Sequence, residues 1–135
     1  MNEPQNHYTN GVLMTLAVIG TKWKPLILCH LVDGPQRPAD LKRAVQGISS
    51  KVLTDQLREL ERDGIITRTI FNEVPPHVEY AISEYGQSLV PILGVMANWG
   101  EARIDFLKQS GVAVDLTYTD PVSYTHLTLP TTPYV

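Results

Sequence analysis

The sequence predicts a mainly α chain with one small β-hairpin, an α+β fold in a single domain. Three observations carry that expectation. Apolar residues recur at three- and four-residue spacing over much of residues 10–63 and again over 89–107. A glycine-containing turn separates two of the helices, and between residues 65 and 82 the period drops to two, with β-branched residues dominant. The length of 135 residues, with 43% hydrophobic and 19% charged side chains, supports one ordinary core.

The first helix is expected over residues 10–19, with Leu13, Leu16 and Ala17 on one face. Gly20 breaks it, and Thr21 can cap a second helix over residues 22–32. That helix carries Trp23, Leu26, Ile27 and Leu31 as a wide apolar stripe, with Pro25 in the first turn, where its missing N–H is harmless. Asp33-Gly34-Pro35 ends it. A short third helix over residues 38–45 is followed by a turn at Gly47-Ile48, and Ser49 or Ser50 caps a strong helix running to Asp63. In that helix Val52/Leu53, Leu57 and Leu60 mark the buried side, and Gly64 stops it. Helix, four-residue turn and helix make the helix-turn-helix pattern.

Residues 65–70 then alternate as a strand, Asn72-Glu73-Val74-Pro75-Pro76 turns the chain, and residues 77–82 return. A hairpin directly after a helix-turn-helix is a wing. Ser83 is expected to cap a last helix, with Glu84 at its positive end and Leu89, Ile92, Leu93, Met96, Trp99, Ile104 and Leu107 as its apolar stripe. Pro91 and Gly94 are expected to bend it.

Charge is distributed unevenly around a net of −3. Residues 22–68 hold nine Lys/Arg against six acids, a local +3, whereas residues 69–135 hold two against seven, a local −5. A basic middle on an acidic background suits a nucleic-acid surface, because local potential draws phosphates.

Four motifs, Gly20-Thr21-Lys22-Trp23-Lys24, Ile48-Ser49-Ser50-Lys51-Val52-Leu53-Thr54, Leu57-Arg58-Glu59-Leu60-Glu61-Arg62-Asp63-Gly64 and Glu73-Val74-Pro75-Pro76-His77-Val78-Glu79-Tyr80, occur in order. On them the chain resembles the HxlR-type family of bacterial regulators, related to the MarR type, over roughly residues 10–107. The resemblance implies a winged helix-turn-helix transcription factor, dimerised through its first and last helices. Many relatives carry an oxidant-sensing cysteine just before the first helix; Asn10 stands there in this chain, so that thiol switch is not carried over.

The expected domain covers residues 8–110. Residues 111–135 hold no Lys or Arg and are rich in Thr and Pro, and the stretch 121–132 resembles a read-through translation of a transposase-end adapter used for sequencing libraries. A disordered or non-native tail without function is the expectation.

The recognition helix, residues 49–63, is expected in the major groove with Ser49, Ser50, Lys51, Thr54, Asp55 and Arg58 facing DNA. Asp55 is awkward beside phosphate but can accept from a cytosine amino group. On the wing, residues 65–82, Arg68 and His77 are candidates for the DNA backbone or minor groove. Lys22 and Lys24 flank Trp23 at a helix start, and Arg43 precedes the recognition helix; all three are candidate phosphate contacts against the plainer reading of solvated side chains. Leu13, Leu16, Leu93, Met96 and Trp99 are the expected dimer contact, since the last helix has more apolar positions than one small domain can cover.

Other classes are disfavoured. The sequence carries no Ser/His/Asp set, no Gly-rich phosphate loop and no Cys/His cluster at metal spacing, so no enzyme, metal or cofactor is expected. Its one cysteine, Cys29, lies in an apolar stripe and is expected buried and inert. No apolar run approaches the roughly 18 residues of a membrane span, and the N-terminus has no signal-peptide pattern, so the expected address is the cytoplasm. The expected partners are double-stranded DNA and a second copy of the chain, with no membrane and an effector of unknown identity. The competing reading is a winged-helix protein-interaction module without specific DNA binding; the basic middle argues against it.

Overall fold

The computed structural model describes residues 7–114. The tail expected over residues 111–135 lies, from residue 115 on, outside the described residues. In chain order the elements are α1 (Gly11–Ile19), α2 (Trp23–Leu31), α3 (Pro38–Ala44), α4 (Ser50–Arg62), β1 (Ile66–Phe71), β2 (His77–Ile82), a 3-10 turn (Tyr85–Leu89) and α5 (Val90–Gln109). They form two compact units, one up to Gln87 and one from Ser88.

Local chemistry sets the helix starts. Asn10 caps α1, its Oδ1 accepting the Leu13 N–H at 3.0 Å. Thr21 Oγ1 accepts the Lys24 N–H at 3.2 Å at the head of α2. Of the two candidate serines, Ser49 caps α4, with Oγ accepting from Val52 N at 3.1 Å. Gly47, in the turn between α3 and α4, has φ +87°, and Gly64, at the exit of α4, has φ +80°. Both lie in the left-handed region that side chains other than glycine's seldom enter.

In the first unit α2 packs on α3, α4 and β2, and α4 also packs on β1. Ile27, Leu28 and Leu31 of α2 meet Leu41 of α3 and Leu53, Leu57 and Leu60 of α4 in the interior, closed by Val45, Ile48, Ile65 and Ile66. Each such side chain contributes about 1.5–3 kcal/mol by leaving water. Cys29 is buried with them. β1 and β2 pair antiparallel from Ile66↔Ile82 to Phe71↔His77. Gln36 adds a short third strand position, its N–H donating to Tyr80 O at 2.9 Å and its carbonyl accepting from Tyr80 N at 2.8 Å. Ser83 Oγ donates to Gly64 O and accepts from Gly86 N, tying the end of β2 to the exit of α4.

The last helix departs from expectation at its start. Ser83 opens a 3-10 turn rather than the α-helix, and Pro91 sits in the first turn of α5, where it interrupts no helical hydrogen bond. Among the described residues no single helix is long and apolar enough to cross a membrane.

Candidate nucleic-acid interface

The amphipathic pattern of α4 builds the site. Leu53, Leu57 and Leu60 pin one face to the interior, which turns Ser50, Lys51, Thr54 and Arg58 outward at the four-residue spacing of neighbouring turns. Ser49 spends its oxygen on the cap and keeps its hydroxyl proton to donate. Lys51 Nζ lies 2.8 Å from Asp55 Oδ2. That hydrogen bond holds the Asp55 carboxyl below the usual carboxylate range, and the nearby Arg58 acts in the same direction. Arg58 is exposed and makes no ion pair among the described residues.

Basic groups around α4 are arranged in two ways. Lys22 is exposed, its Nζ 4.6 Å from the centre of the Trp23 ring. Arg43 is exposed and paired with Asp40 one turn back. Arg68, on β1, projects beside α4 with its Nε 3.8 Å from Glu61 Oε1. Lys24 corrects the sequence expectation: it is 3% exposed and its Nζ is 2.6 Å from Glu59 Oε1, so it fastens α2 to α4 and does not face solvent. The stripe itself carries the signal that was missed, because Lys24 stands three and four residues before buried Ile27 and Leu28.

His77 is a second correction. Its side chain is 15% exposed, with Nδ1 3.0 Å from Glu73 Oε1 and Nε2 3.1 Å from Glu79 Oε2. The ring stacks on Phe71 with centroids 4.6 Å apart. Both nitrogens are occupied by carboxylates, so in this structure the ring ties the wing tip together and does not project from it. Leu93 is the third, being 2% exposed within the chain itself, whereas Leu13, Leu16, Met96 and Trp99 are exposed.

Two further side chains have contacts that the sequence pattern does not specify. Gln56 Oε1 accepts from Thr21 Oγ1 at 2.8 Å, joining the head of α2 to the middle of α4. Tyr80 lies across from Arg68 on the hairpin; burial pushes its hydroxyl up from its ordinary value, against the lowering pull of Arg68.

A helix-turn-helix whose second helix presents a hydrogen-bonding face, followed by a two-stranded wing, defines the winged-helix, MarR-like class of DNA-binding transcriptional regulators. Residues 18–108 match the family model described as HxlR-like helix-turn-helix, and the chain belongs to that family. It is 53% identical over 98 residues to the uncharacterized HTH-type transcriptional regulator YtcD of Bacillus subtilis (strain 168), covering 73% of this chain and 78% of that relative. Among solved structures, the redox regulator HypR in its reduced form aligns with TM-score 0.70 at 44% identity, over 74% of this chain and 99% of that one. A MarR-family protein of Enterococcus faecalis V583 aligns with TM-score 0.66 at 37% identity, over 78% and 99% of the two chains.

Proposed function

We propose that the chain is a sequence-specific repressor that works as a homodimer in the cytoplasm, placing α4 of each copy in the major groove. The observation that carries this reading is the division of α4 into a buried leucine face and an exposed face of Ser50, Lys51, Thr54 and Arg58. Lys22, Arg43 and Arg68, together with Arg58 on the outer face of α4, are the phosphate contacts, because each is an exposed cation. Support for self-association comes from the exposed apolar residues Val12, Leu13, Met14 and Leu16 on α1, and Ile92, Met96, Trp99 and Phe106 on α5. Repression follows most simply from such a molecule, since occupying a promoter needs only a reading helix and a second copy. HypR is a redox regulator; in this chain the one cysteine is buried, and the proposed regulator does not respond through a thiol.

Gel shift against the DNA flanking the chain's own gene tests the reading. With six to ten phosphate contacts per dimer, affinity should fall by roughly 10³–10⁵ between 50 and 200 mM salt. A salt-insensitive shift, or no shift with any flanking fragment, overturns it.

A further inference from the structure

We propose that Lys51 and Asp55 act as one reading unit, a donor and an acceptor held side by side that together select a single G·C base pair, with Lys51 on the guanine and Asp55 on the cytosine amino group. The proposal deepens, and rests on, the assignment of α4 as the recognition helix.

The pair lies in the first half of α4, the part of such a helix that reaches base edges. Nζ and Oδ2 are 2.8 Å apart, and Lys51 is 84% exposed, so the couple projects into solvent and is not committed to the interior. Helix stability gives little reason for it. A lysine four residues before a carboxylate is the weaker of the two orientations, because it sets the cation toward the positive end of the helix. Exposed pairs also add little in general.

A carboxylate on a helix entering a groove lined with phosphates is repelled unless it finds a donor. In the major groove the donors are the amino groups of cytosine and adenine. Guanine O6 and cytosine N4 belong to one base pair and are hydrogen-bonded to each other, so that pair presents an acceptor beside a donor at hydrogen-bond distance. The protein holds its own donor and acceptor at the same kind of separation, so the two couples can meet, donor on acceptor, with the Lys51–Asp55 contact intact. An A·T pair also sets a donor beside an acceptor, but guanine's adjacent O6 and N7 seat an ammonium, whereas adenine's N7 neighbours an amino donor. Ionised at neutral pH, Asp55 is an acceptor only. Its charge also offsets that of Lys51, which lowers attraction to phosphate at unrelated sequences.

Selection of bound sequences from a double-stranded DNA library with a randomised centre tests the unit. The full chain, Lys51→Ala and Asp55→Ala would be compared, with thermal melts confirming that each variant is folded. The wild-type protein should enrich one G·C pair per half-site by about 5- to 150-fold over the alternatives. Both variants should flatten that same position and leave the others. Flattening of two different base pairs, an A·T pair at the affected position, or unchanged preferences in both variants would overturn the unit while leaving the proposed function standing. Enrichment of no sequence by the wild-type chain would overturn the proposed function, and the unit with it.

Discussion

α4 and α1 solve the same problem in opposite ways. α4 is 13 residues long, and its leucines at 53, 57 and 60 are all buried, so its apolar surface is covered within the chain and its polar face is released for a ligand. α1 has nine residues, of which only Ile19 is buried; Val12, Leu13, Met14 and Leu16 all stand in the open. A helix with a clean apolar stripe finds its cover inside its own domain, whereas one that is apolar round much of its circumference has to be covered from elsewhere. The polar face of one helix and the apolar surface of the other are thus both left open in a single chain, the first for the proposed DNA contact and the second for the proposed second copy.

The largest effect expected is on the α4 side. Lys24→Ala leaves Glu59, which is only 15% exposed, without its partner and should cost about 3–5 kcal/mol in urea unfolding. Lys22→Ala, two residues earlier and exposed, should stay within about 0.5 kcal/mol. Equal costs for the two lysines would erase the distinction between a lysine that fastens α4 and one that faces solvent. The next effect is on assembly. Trp99, at 68% exposure, should behave as a contact anchor, so Trp99→Glu should weaken self-association by about 2 kcal/mol or more while leaving the isolated chain folded. Light scattering over a dilution series reads it, and an unaltered association state would mean that the apolar residues of α5 are not what a second copy covers. A smaller effect belongs to Arg58→Ala. As a phosphate contact it should weaken binding to all sequences alike and lower the slope of log affinity against log salt by about 1. Loss confined to one base position would move Arg58 to the base edges.

Much of this was legible in the sequence, and all but one of the exceptions share a cause. Element order, a serine cap at 49 or 50, the wing turn and the leucine face of α4 follow from patterns that are local in the chain. What the sequence left open depends on partners far along it. Lys24 meets Glu59 and Thr21 meets Gln56, each pair about 35 residues apart, and Gln36 pairs with Tyr80 across the whole helix-turn-helix. Periodicity places Leu93 on the same stripe as Met96, yet does not say that one is buried and the other open. His77 is a different kind of case, because both of its carboxylate partners are local, at positions 73 and 79. The prolines mark the turn between the strands, but they do not say that the hairpin sets Glu73 and Glu79 on either side of the His77 ring.

The smallest effect expected is also the one that isolates the exposed face of α4 most cleanly. Asp55 is in contact with Lys51, whose hydrogen bond favours the ionised carboxylate and so lowers its pKa from the ordinary 3.8. The group is depressed in the folded chain, so its contribution to stability is present above about pH 4 and fades as pH falls through the lowered value. Because the pair stands in solvent, that contribution should be small and should shrink further in high salt. Titration of the Asp55 side chain followed by NMR should give a midpoint below 3.8, and Lys51→Ala should return it toward the ordinary value. Arg58→Ala should move it less, since Arg58 acts on Asp55 through charge alone whereas Lys51 supplies a hydrogen bond as well. A midpoint insensitive to Lys51 would mean that the contact does not persist in solution, and α4 would then present a separate cation and anion where the structure shows a joined pair.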